Sequence, residues 1–343
     1  MSAVNSLDEN TLIPYLQSQV EGFKGPLVIS KFDGGQSNPT FKLEAASGSY
    51  VLRRQPPGKL LKSAHAVDRE YRVLEALRDT DVPVAKVYHL CQDTDIIGSM
   101  FYIMEFCEGN IYWASSLKDI NSNTLRGQMY DEINHVLAAI HSVNLQQVGL
   151  ADYGRPGNYF ERQFERWSKQ YKASEIEPIP QMDQLIKWLS QNIPDDDGKV
   201  SLVHGDYRLD NLMFSPDNSR VIAVLDWELS TLGHPYADLA YQCMGFRLPS
   251  NGLAGASSGL GGIDAGALGI PSEDDYVDQY CQRIGINTID NWPFYIAFSF
   301  FRLAAICQGV AKRGLDGNAS SSRAISYQQM VGPLAQSGLD ATS

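Results

Sequence analysis

The sequence has few cysteines and no spacing that would join them. Five cysteines, an odd number, are spread over 343 residues, and no two of them show the CxxC spacing of a zinc or redox site. A disulfide framework and a zinc-binding module are therefore not expected. Scattered single cysteines fit a reducing compartment, and we expect a cytoplasmic protein.

Positive charge and long apolar runs are also scarce. Lys and Arg number 28 against 40 Asp and Glu, so the formal net charge is −12, which disfavours binding to a nucleic-acid backbone. The most apolar stretch, residues 294–310, is shorter than the ~20 residues that a membrane span needs and carries Arg302 in its middle. The N-terminus lacks a basic segment followed by an apolar run. We expect neither a nucleic-acid nor a membrane partner, and we interpret residues 294–310 as a buried helix.

The composition that remains is that of an ordinary globular chain, with 43% hydrophobic and 20% charged residues. An amphipathic helix is predicted at 7–19, followed by short strands at 28–32, 40–45, 49–54, 86–92 and 101–105, with one helix at 63–78 capped by Ser63. Long helical patterns follow at 126–143, 159–172 and 181–191. We predict an α+β protein of two lobes, a β-rich lobe at 1–106 and a larger, mostly helical lobe at 107–343.

The strongest chemical signal is His204-Gly205-Asp206-x4-Asn211, followed by a strand that ends at Asp226. Segments 212–214 and 221–225 predict a hairpin with Asn211 and Asp226 at its open end and Asp206 in the preceding loop. Two carboxylates and an amide suit Mg²⁺, whose shell substrate phosphates complete, with one carboxylate left over to accept a proton. HGDx4N is expected by chance on the order of once in a thousand such chains.

This pattern resembles the catalytic and metal loops of the aminoglycoside phosphotransferase and choline kinase superfamily, whose fold is similar to that of protein kinases. The resemblance implies an ATP- and Mg²⁺-dependent enzyme in which Asp206 accepts the proton of a substrate hydroxyl. It also implies that Asn211 and Asp226 bind the metal. Asp226-Trp227-Glu228 stands where protein kinases have DFG, which is usual in the small-molecule branch.

The same resemblance implies ATP contacts in the first lobe. Residues 32–38 lie between two strands, where a loop that covers the phosphates belongs. Gly34, Gly35, Ser37 and Asn38 permit close approach of the backbone to phosphate oxygens. The loop departs from GxGxxG, and a simple glycine-rich hairpin turn is the alternative.

An arginine stands where the family has its ATP-contacting lysine. Strand alternation favours Arg53, on the face shared with Val51, and Arg54 is the alternative. Glu70 is its predicted partner, because a carboxylate beside the apolar stripe of a helix needs a cation. An Arg53–Glu70 pair would turn the guanidinium toward the phosphates of ATP.

Residues 104–107, at the end of the fifth strand, resemble the hinge of this superfamily, where the backbone of Glu105 and Cys107 would contact adenine. Roughly residues 25–330 look most like the kinase-like domain of acyl-CoA dehydrogenase family members ten and eleven and its free-standing bacterial relatives. That subgroup implies a hydroxyacyl-CoA as the phosphoryl acceptor. A net charge of −12 instead suits a cationic aminoglycoside or amino alcohol, and the sequence reveals no basic patch for an anionic acceptor.

Other interpretations stay open. A nucleotide-binding pseudokinase with a regulatory role is the main alternative, and a metal-dependent phosphohydrolase that adds His234 to the cluster is a second. His204 is expected to support its loop by hydrogen bonding rather than to react. Asp238 is expected to cap or anchor the segment after Pro235, and residues 250–269, rich in Gly, Ser and Ala, predict a mobile loop or lid.

Overall fold

The computed structural model describes residues 7–32, 38–56, 65–251, 258–317 and 324–342. Three residues of the predicted phosphate loop, Gly34, Gly35 and Ser37, lie outside this part of the chain, as does the predicted helix cap Ser63.

A five-stranded antiparallel sheet forms the N-terminal lobe, in the order β1-β2-β3-β5-β4. A helix before the sheet packs its buried Leu12 and Leu16 into a cluster with Leu43, Leu52 and other apolar side chains. A second helix begins at Val67, with Ala66 as its N-cap, a few residues later than predicted. The elements are α1 (Glu9–Gln19), β1 (Leu27–Lys31), β2 (Thr40–Ala45), β3 (Gly48–Arg54), α2 (Val67–Leu77), β4 (Val87–Cys91) and β5 (Phe101–Glu105).

Helices dominate the rest of the chain, and two short strand pairs lie among them. Strand β6 pairs with β9, and β7 pairs with β8 as the predicted hairpin. The elements are α3 (Asn123–His141), α4 (Tyr159–Ser174), α5 (Pro180–Gln191), β6 (Ser201–Val203), β7 (Leu212–Phe214), β8 (Val221–Val224), β9 (Thr231–Gly233), α6 (Tyr236–Arg247), α7 (Glu273–Ile284), α8 (Trp292–Leu315) and α9 (Gln328–Asp340).

Local sequence explains several of these helix ends. The hydroxyl of Ser122 accepts a hydrogen bond from the N–H of Leu125 at the start of α3, and Ser272 does the same for Asp275 at the start of α7. Helix α7 ends at Gly285, whose φ of 74° is the left-handed conformation that glycine adopts without steric cost.

Helix α8 forms the centre of the helical lobe. It has 24 residues and contains an 18-residue window with a mean hydropathy of 1.5, which is enough by length and composition to cross a membrane, so the length predicted from residues 294–310 was too short. Most of its apolar segment, 78%, is buried inside the protein, where α8 packs against α4, α6 and α9. The prediction of a buried helix is confirmed.

The described part of the predicted lid is tied to the end of α6. The N–H of Leu260 donates to the carbonyl of Gly245, at 2.8 Å, and that of Gly261 to the carbonyl of Leu248. Leu260 and Ile270 are buried. Residues 258–269 are therefore packed on the helical lobe and do not form a free loop.

Candidate active site

The segment that follows β6 makes a sharp turn that only glycine fits. Gly205 has a φ of 85°, and a Cβ placed there would lie 2.6 Å from the carbonyl oxygen of Leu229. Because Gly205 lies so close to the Leu229 backbone, Asp206 follows next to the segment after β8. Glycine is therefore required at this position by both conformation and space.

His204 supports this turn from inside, as predicted. Its Nδ1 accepts the N–H of Asp206 at 3.2 Å, so its Nε2 carries the proton and donates to the carbonyl oxygen of Leu225 at 2.8 Å. The ring is fully buried, 4.8 Å from the Trp227 ring centre. His204 thus joins the two loops that hold Asp206 and Asp226.

Asn211 lies against Asp206. Its Nδ2 donates to the carbonyl oxygen of Asp206 at 2.8 Å and to the carboxylate Oδ2 at 3.0 Å. Both contacts use the amide nitrogen, so the amide oxygen of Asn211 remains to bind a ligand. The backbone oxygen of Asn211 also accepts the N–H of Leu225 at 2.8 Å, which brings the two ends of the hairpin together.

Asp226 follows directly and has a left-handed backbone with a φ of 62°, an uncommon conformation for a residue other than glycine. Its carboxylate is 37% exposed and contacts Arg53 of the first lobe, with Oδ1 2.6 Å from Nη2. The structure therefore places the end of the hairpin at the interface of the two lobes, opposite β3.

Arg53, which is partly exposed, pairs with the buried Glu70 on that interface. The guanidinium Nε lies 2.7 Å from Glu70 Oε2, and Glu70 also accepts hydrogen bonds from the Tyr102 hydroxyl and from Asn38. Burial lowers the pKa of Arg53, but Glu70 and Asp226 raise it more, so the net pKa lies above its ordinary value. Arg53 is therefore charged at any physiological pH.

Arg54 points the other way. Its Nε donates to the Ser99 hydroxyl at 2.9 Å, and the side chain is buried. The strand register, with Arg53 opposite Tyr102 and Arg54 opposite Phe101, puts the two arginines on opposite faces of the sheet. The structure thus places Arg53, and not Arg54, beside Glu70.

The structure describes three more residues that were predicted to contact ATP: Asn38, Glu105 and Cys107. Asn38 is buried. Its Nδ2 lies 2.9 Å from Glu70 Oε1, and its Oδ1 lies 3.2 Å from His65 Nδ1. Asn38 therefore joins the end of the predicted loop to α2. Glu105 ends β5, and its N–H donates to the carbonyl of Lys86. Cys107 lies just beyond, and burial raises the pKa of its thiol to about 11.

Asp238 has a larger part than the sequence predicted. It is fully buried at the start of α6 and accepts the N–H of His204 at 2.6 Å and that of Gly205 at 2.9 Å. Burial raises its pKa, but His141 and the backbone donors lower it more, so the net pKa lies below its ordinary value. Asp238 anchors the turn at His204 and Gly205, and not the segment after Pro235 as expected.

Glu228 was not predicted as a site residue. Carboxylate oxygens of Glu70, Asp226 and Glu228 lie within 4.8 Å of one another, and Glu228 is 3.8 Å from the Arg53 guanidinium. Three carboxylates around one guanidinium leave a local net charge of −2, which favours a cation. No motif links Glu70 to Glu228 in the sequence, so only the folded chain reveals the cluster.

His234, which a phosphohydrolase would need, lies elsewhere. Its Nδ1 accepts the N–H of Tyr236, and its Nε2 is 3.2 Å from Asp197. Within the described residues it does not join the carboxylate cluster of Glu70 and Asp226. A metal-dependent phosphohydrolase that adds His234 to the cluster therefore lacks this ligand among the described residues.

A narrow slot opens beside residues 208–210 on the helical-lobe side. Trp113, Tyr130, Tyr241 and Leu248 line it together with Arg208. Arg208 is held by Asp210 through two contacts of 2.5 Å. Trp113 is 67% exposed at its rim.

An antiparallel sheet above a helical lobe, with the site between them, defines a kinase-like phosphotransferase fold. A solved spectinomycin phosphotransferase, bound to ADP and spectinomycin, has this fold with a TM-score of 0.65 at 13% identity over 98% of this chain and 99% of that one. A choline kinase from Cryptosporidium parvum has a TM-score of 0.66 at 10% identity over 97% and 95% of the two chains.

The profile of the phosphotransferase enzyme family matches residues 28–266, and the chain belongs to this family. A Ralstonia eutropha structure named as a candidate aminoglycoside phosphotransferase is 50% identical, with a TM-score of 0.89 over 98% of both chains. Mouse acyl-CoA dehydrogenase family member 10 is 49% identical over 313 residues, which cover 91% of this chain and 28% of that protein. Human family member 11 is 41% identical over 344 residues, 98% of this chain and 43% of that protein. The chain thus spans less than half the length of these curated relatives.

Proposed function

We propose that this small-molecule phosphotransferase uses ATP and Mg²⁺ to phosphorylate a substrate hydroxyl. The observation that supports this most directly is the convergence of Asp206, Asn211 and Asp226 opposite the Arg53–Glu70 pair of the other lobe. This arrangement offers a carboxylate for a proton, oxygen ligands for a cation and a guanidinium for phosphate.

The residues fit Mg²⁺ by the chemistry of their donor atoms. Asn211 presents its amide oxygen, because its side chain makes both of its hydrogen bonds to Asp206 through the nitrogen. Asp226 presents a partly exposed carboxylate. Oxygen ligands of this kind leave most of the shell of Mg²⁺ to water and phosphate. When bound, the cation would neutralise charge on the phosphates of ATP.

Each residue then has a role in the transfer. Asp206 orients the acceptor hydroxyl and takes its proton while the oxygen attacks the γ-phosphorus in line, and the bond from the γ-phosphorus to the bridging oxygen breaks to release ADP. Arg53 holds phosphate oxygens, and Glu70 holds Arg53. Asn211 holds the Asp206 carboxylate by its hydrogen bond of 3.0 Å. Positioning and charge stabilisation supply most of the rate acceleration in phosphoryl transfer.

We propose a hydroxyacyl-CoA as the acceptor, with aminoglycosides and amino alcohols as weaker candidates. The identity to acyl-CoA dehydrogenase family members 10 and 11 over nearly the whole chain supports this choice. Likeness to the aminoglycoside and choline enzymes at 10–16% identity concerns the fold alone.

A regulatory pseudokinase is the second candidate, and one contact favours it. The Arg53 guanidinium lies 2.6 Å from a carboxylate oxygen of Asp226, an oxygen that the metal would otherwise use. If that contact persists with nucleotide bound, binding without transfer is the expected behaviour.

The test measures ATP consumption with Mg²⁺ across hydroxyacyl-CoAs, aminoglycosides and amino alcohols, with the phosphorylated product identified by mass. Asp206→Asn is the control that ties transfer to this site. We expect this variant to keep ATP binding and to lose 10²- to 10⁴-fold in turnover, the usual contribution of a general base. Near-normal turnover would exclude Asp206 as the base. ATP binding without transfer to any acceptor class would favour the pseudokinase.

A further inference from the structure

A basic groove lies along helix α4, in a protein whose net charge is −12. It is an open groove of about 870 Å³, formed by the loop before α4 and the outer face of that helix. Four basic and two acidic side chains line it: Arg155, Arg162, Arg166, Lys169, Glu161 and Glu165. The local charge is therefore +2, opposite in sign to that of the whole chain.

Within the part of the chain that the structure describes, the four cations of this basic groove have no carboxylate partner. Elsewhere on the surface Arg72, Arg247 and Arg283 each contact a carboxylate at 2.7 Å or less. Among residues 7–32, 38–56, 65–251, 258–317 and 324–342, no carboxylate oxygen lies within 4.0 Å of any of the four groove cations. Mutual repulsion of unpaired cations destabilises the fold slightly, and an anionic ligand would relieve it.

One groove cation also holds the groove together. The Arg162 Nη2 donates to the carbonyl oxygen of Arg155 at 2.7 Å, and Nη1 to that of Pro156 at 3.4 Å. The loop is thereby fixed over the first turns of α4, with Arg155 and Arg166 exposed. The basic side chains thus project from an ordered frame.

The basic groove begins beside the segment that follows Asp226. The Tyr153 hydroxyl lies 2.8 Å from the Ser230 hydroxyl. A Cβ at Gly154 would lie 2.5 Å from both the Leu232 nitrogen and the Thr231 hydroxyl oxygen, so the two segments are in direct contact. Arg155 is the next residue. The groove therefore adjoins the segment that leads away from Asp226, on the same lobe as the proposed base.

We propose that the basic groove binds the phosphate groups of a phosphate-bearing acceptor, such as the CoA portion of a hydroxyacyl-CoA. This inference rests on the proposed function. The guanidinium group of arginine binds phosphate through two parallel hydrogen bonds, a geometry that the ammonium group of lysine does not offer. A cationic aminoglycoside would be repelled by the same surface. The groove supplies the basic patch that an anionic acceptor needs.

The test is calorimetric titration of coenzyme A into the full chain with the nucleotide site saturated by a non-hydrolysable ATP analogue and Mg²⁺. Pantetheine, which lacks the phosphates, is the matched ligand. The test variant is Arg155→Gln with Arg166→Gln, two exposed positions. Lys24→Gln with Arg220→Gln is the control, because it removes the same charge from exposed positions elsewhere.

We expect the test variant to bind coenzyme A at least tenfold more weakly, and the control to bind it as the unmodified protein does. The affinity for coenzyme A should fall as the salt concentration rises, and it should fall less steeply in the test variant. The affinity for pantetheine should be the same in all variants. Equal affinity of test variant and control for coenzyme A, or equal affinity of the protein for coenzyme A and pantetheine, would overturn the proposal. Failure of the proposed function is distinguishable, because it removes phosphoryl transfer and leaves this binding intact.

Discussion

The guanidinium of Arg302 donates a hydrogen bond to the carbonyl oxygen of Gly205, the residue directly before Asp206. The two residues are 97 positions apart in the sequence. Arg302 is buried on α8, 4.9 Å from the ring centre of Tyr241. Because Asp238 accepts the N–H groups of the same loop, the proposed base is held from both sides by the core of the helical lobe.

We expect Arg302→Met to lower turnover 10- to 100-fold and to leave the KM for ATP unchanged. The variant removes the donor to Gly205 and lets Asp206 shift, and it leaves a buried carbonyl unpaired at a cost of about 1–3 kcal/mol. Arg302→Lys should recover part of the turnover. Arg313→Gln, on the same helix and exposed, is the control. Unchanged turnover in folded Arg302→Met would show that Arg302 does not position Asp206.

Arg53→Met should weaken ATP binding at least tenfold, since it removes the cation that faces Asp226 and leaves Glu70 buried without its partner. Arg53→Lys should retain most of the affinity, as a point charge can still meet phosphate. Nucleotide titration measures both.

Arg54→Met tests which of the two arginines contacts ATP. Its contact with Ser99 lies on the other face of the sheet, so this variant can lose stability but should bind ATP normally. The reverse pattern, with ATP binding lost in Arg54→Met alone, would refute the assignment of Arg53.

Gly205→Ala should destabilise the protein by more than the cost of placing an alanine in the left-handed conformation. Gly22 has a similar φ of 77° with nothing within 4 Å of a Cβ, so Gly22→Ala measures the conformational cost, about 1–2 kcal/mol. At Gly205 the added Cβ also meets the Leu229 carbonyl at 2.6 Å. Denaturant unfolding of both variants gives the difference; equal losses would mean that the loop relaxes freely.

His234 predicts a loss of stability in mild acid. Burial lowers its pKa to about 4 from 6.5, so the unfolded chain binds the proton first as pH falls. The contribution of neutral His234 to the free energy of unfolding is fully present above pH 6.5. It is lost progressively toward pH 4, and the total loss is about 3 kcal/mol. His234→Gln should flatten the pH dependence in this range. His135→Gln, at an exposed position, should leave the profile as it is; the same slope in both variants would contradict the prediction.

The sequence determined those features of this protein that depend on neighbouring residues. Strand alternation separated Arg53 from Arg54, because successive side chains of a strand face opposite ways. The spacing of HGDx4N and the hairpin after it placed Asn211 beside Asp206. The apolar stripe of α2 identified Glu70 as a buried carboxylate in need of a cation. These relations are set by the geometry of one or two turns or strands.

Tertiary structure alone decided the relations between distant segments. Glu228 joins the Glu70–Asp226 cluster because α2 packs against the turn after β8. Arg302 reaches Gly205 because α8 passes behind the turn that carries Gly205 and Asp206, and the basic groove forms where the loop at Arg155 folds over α4. The packing of whole elements fixes which side chains meet across such distances, and periodicity within one element carries no record of it.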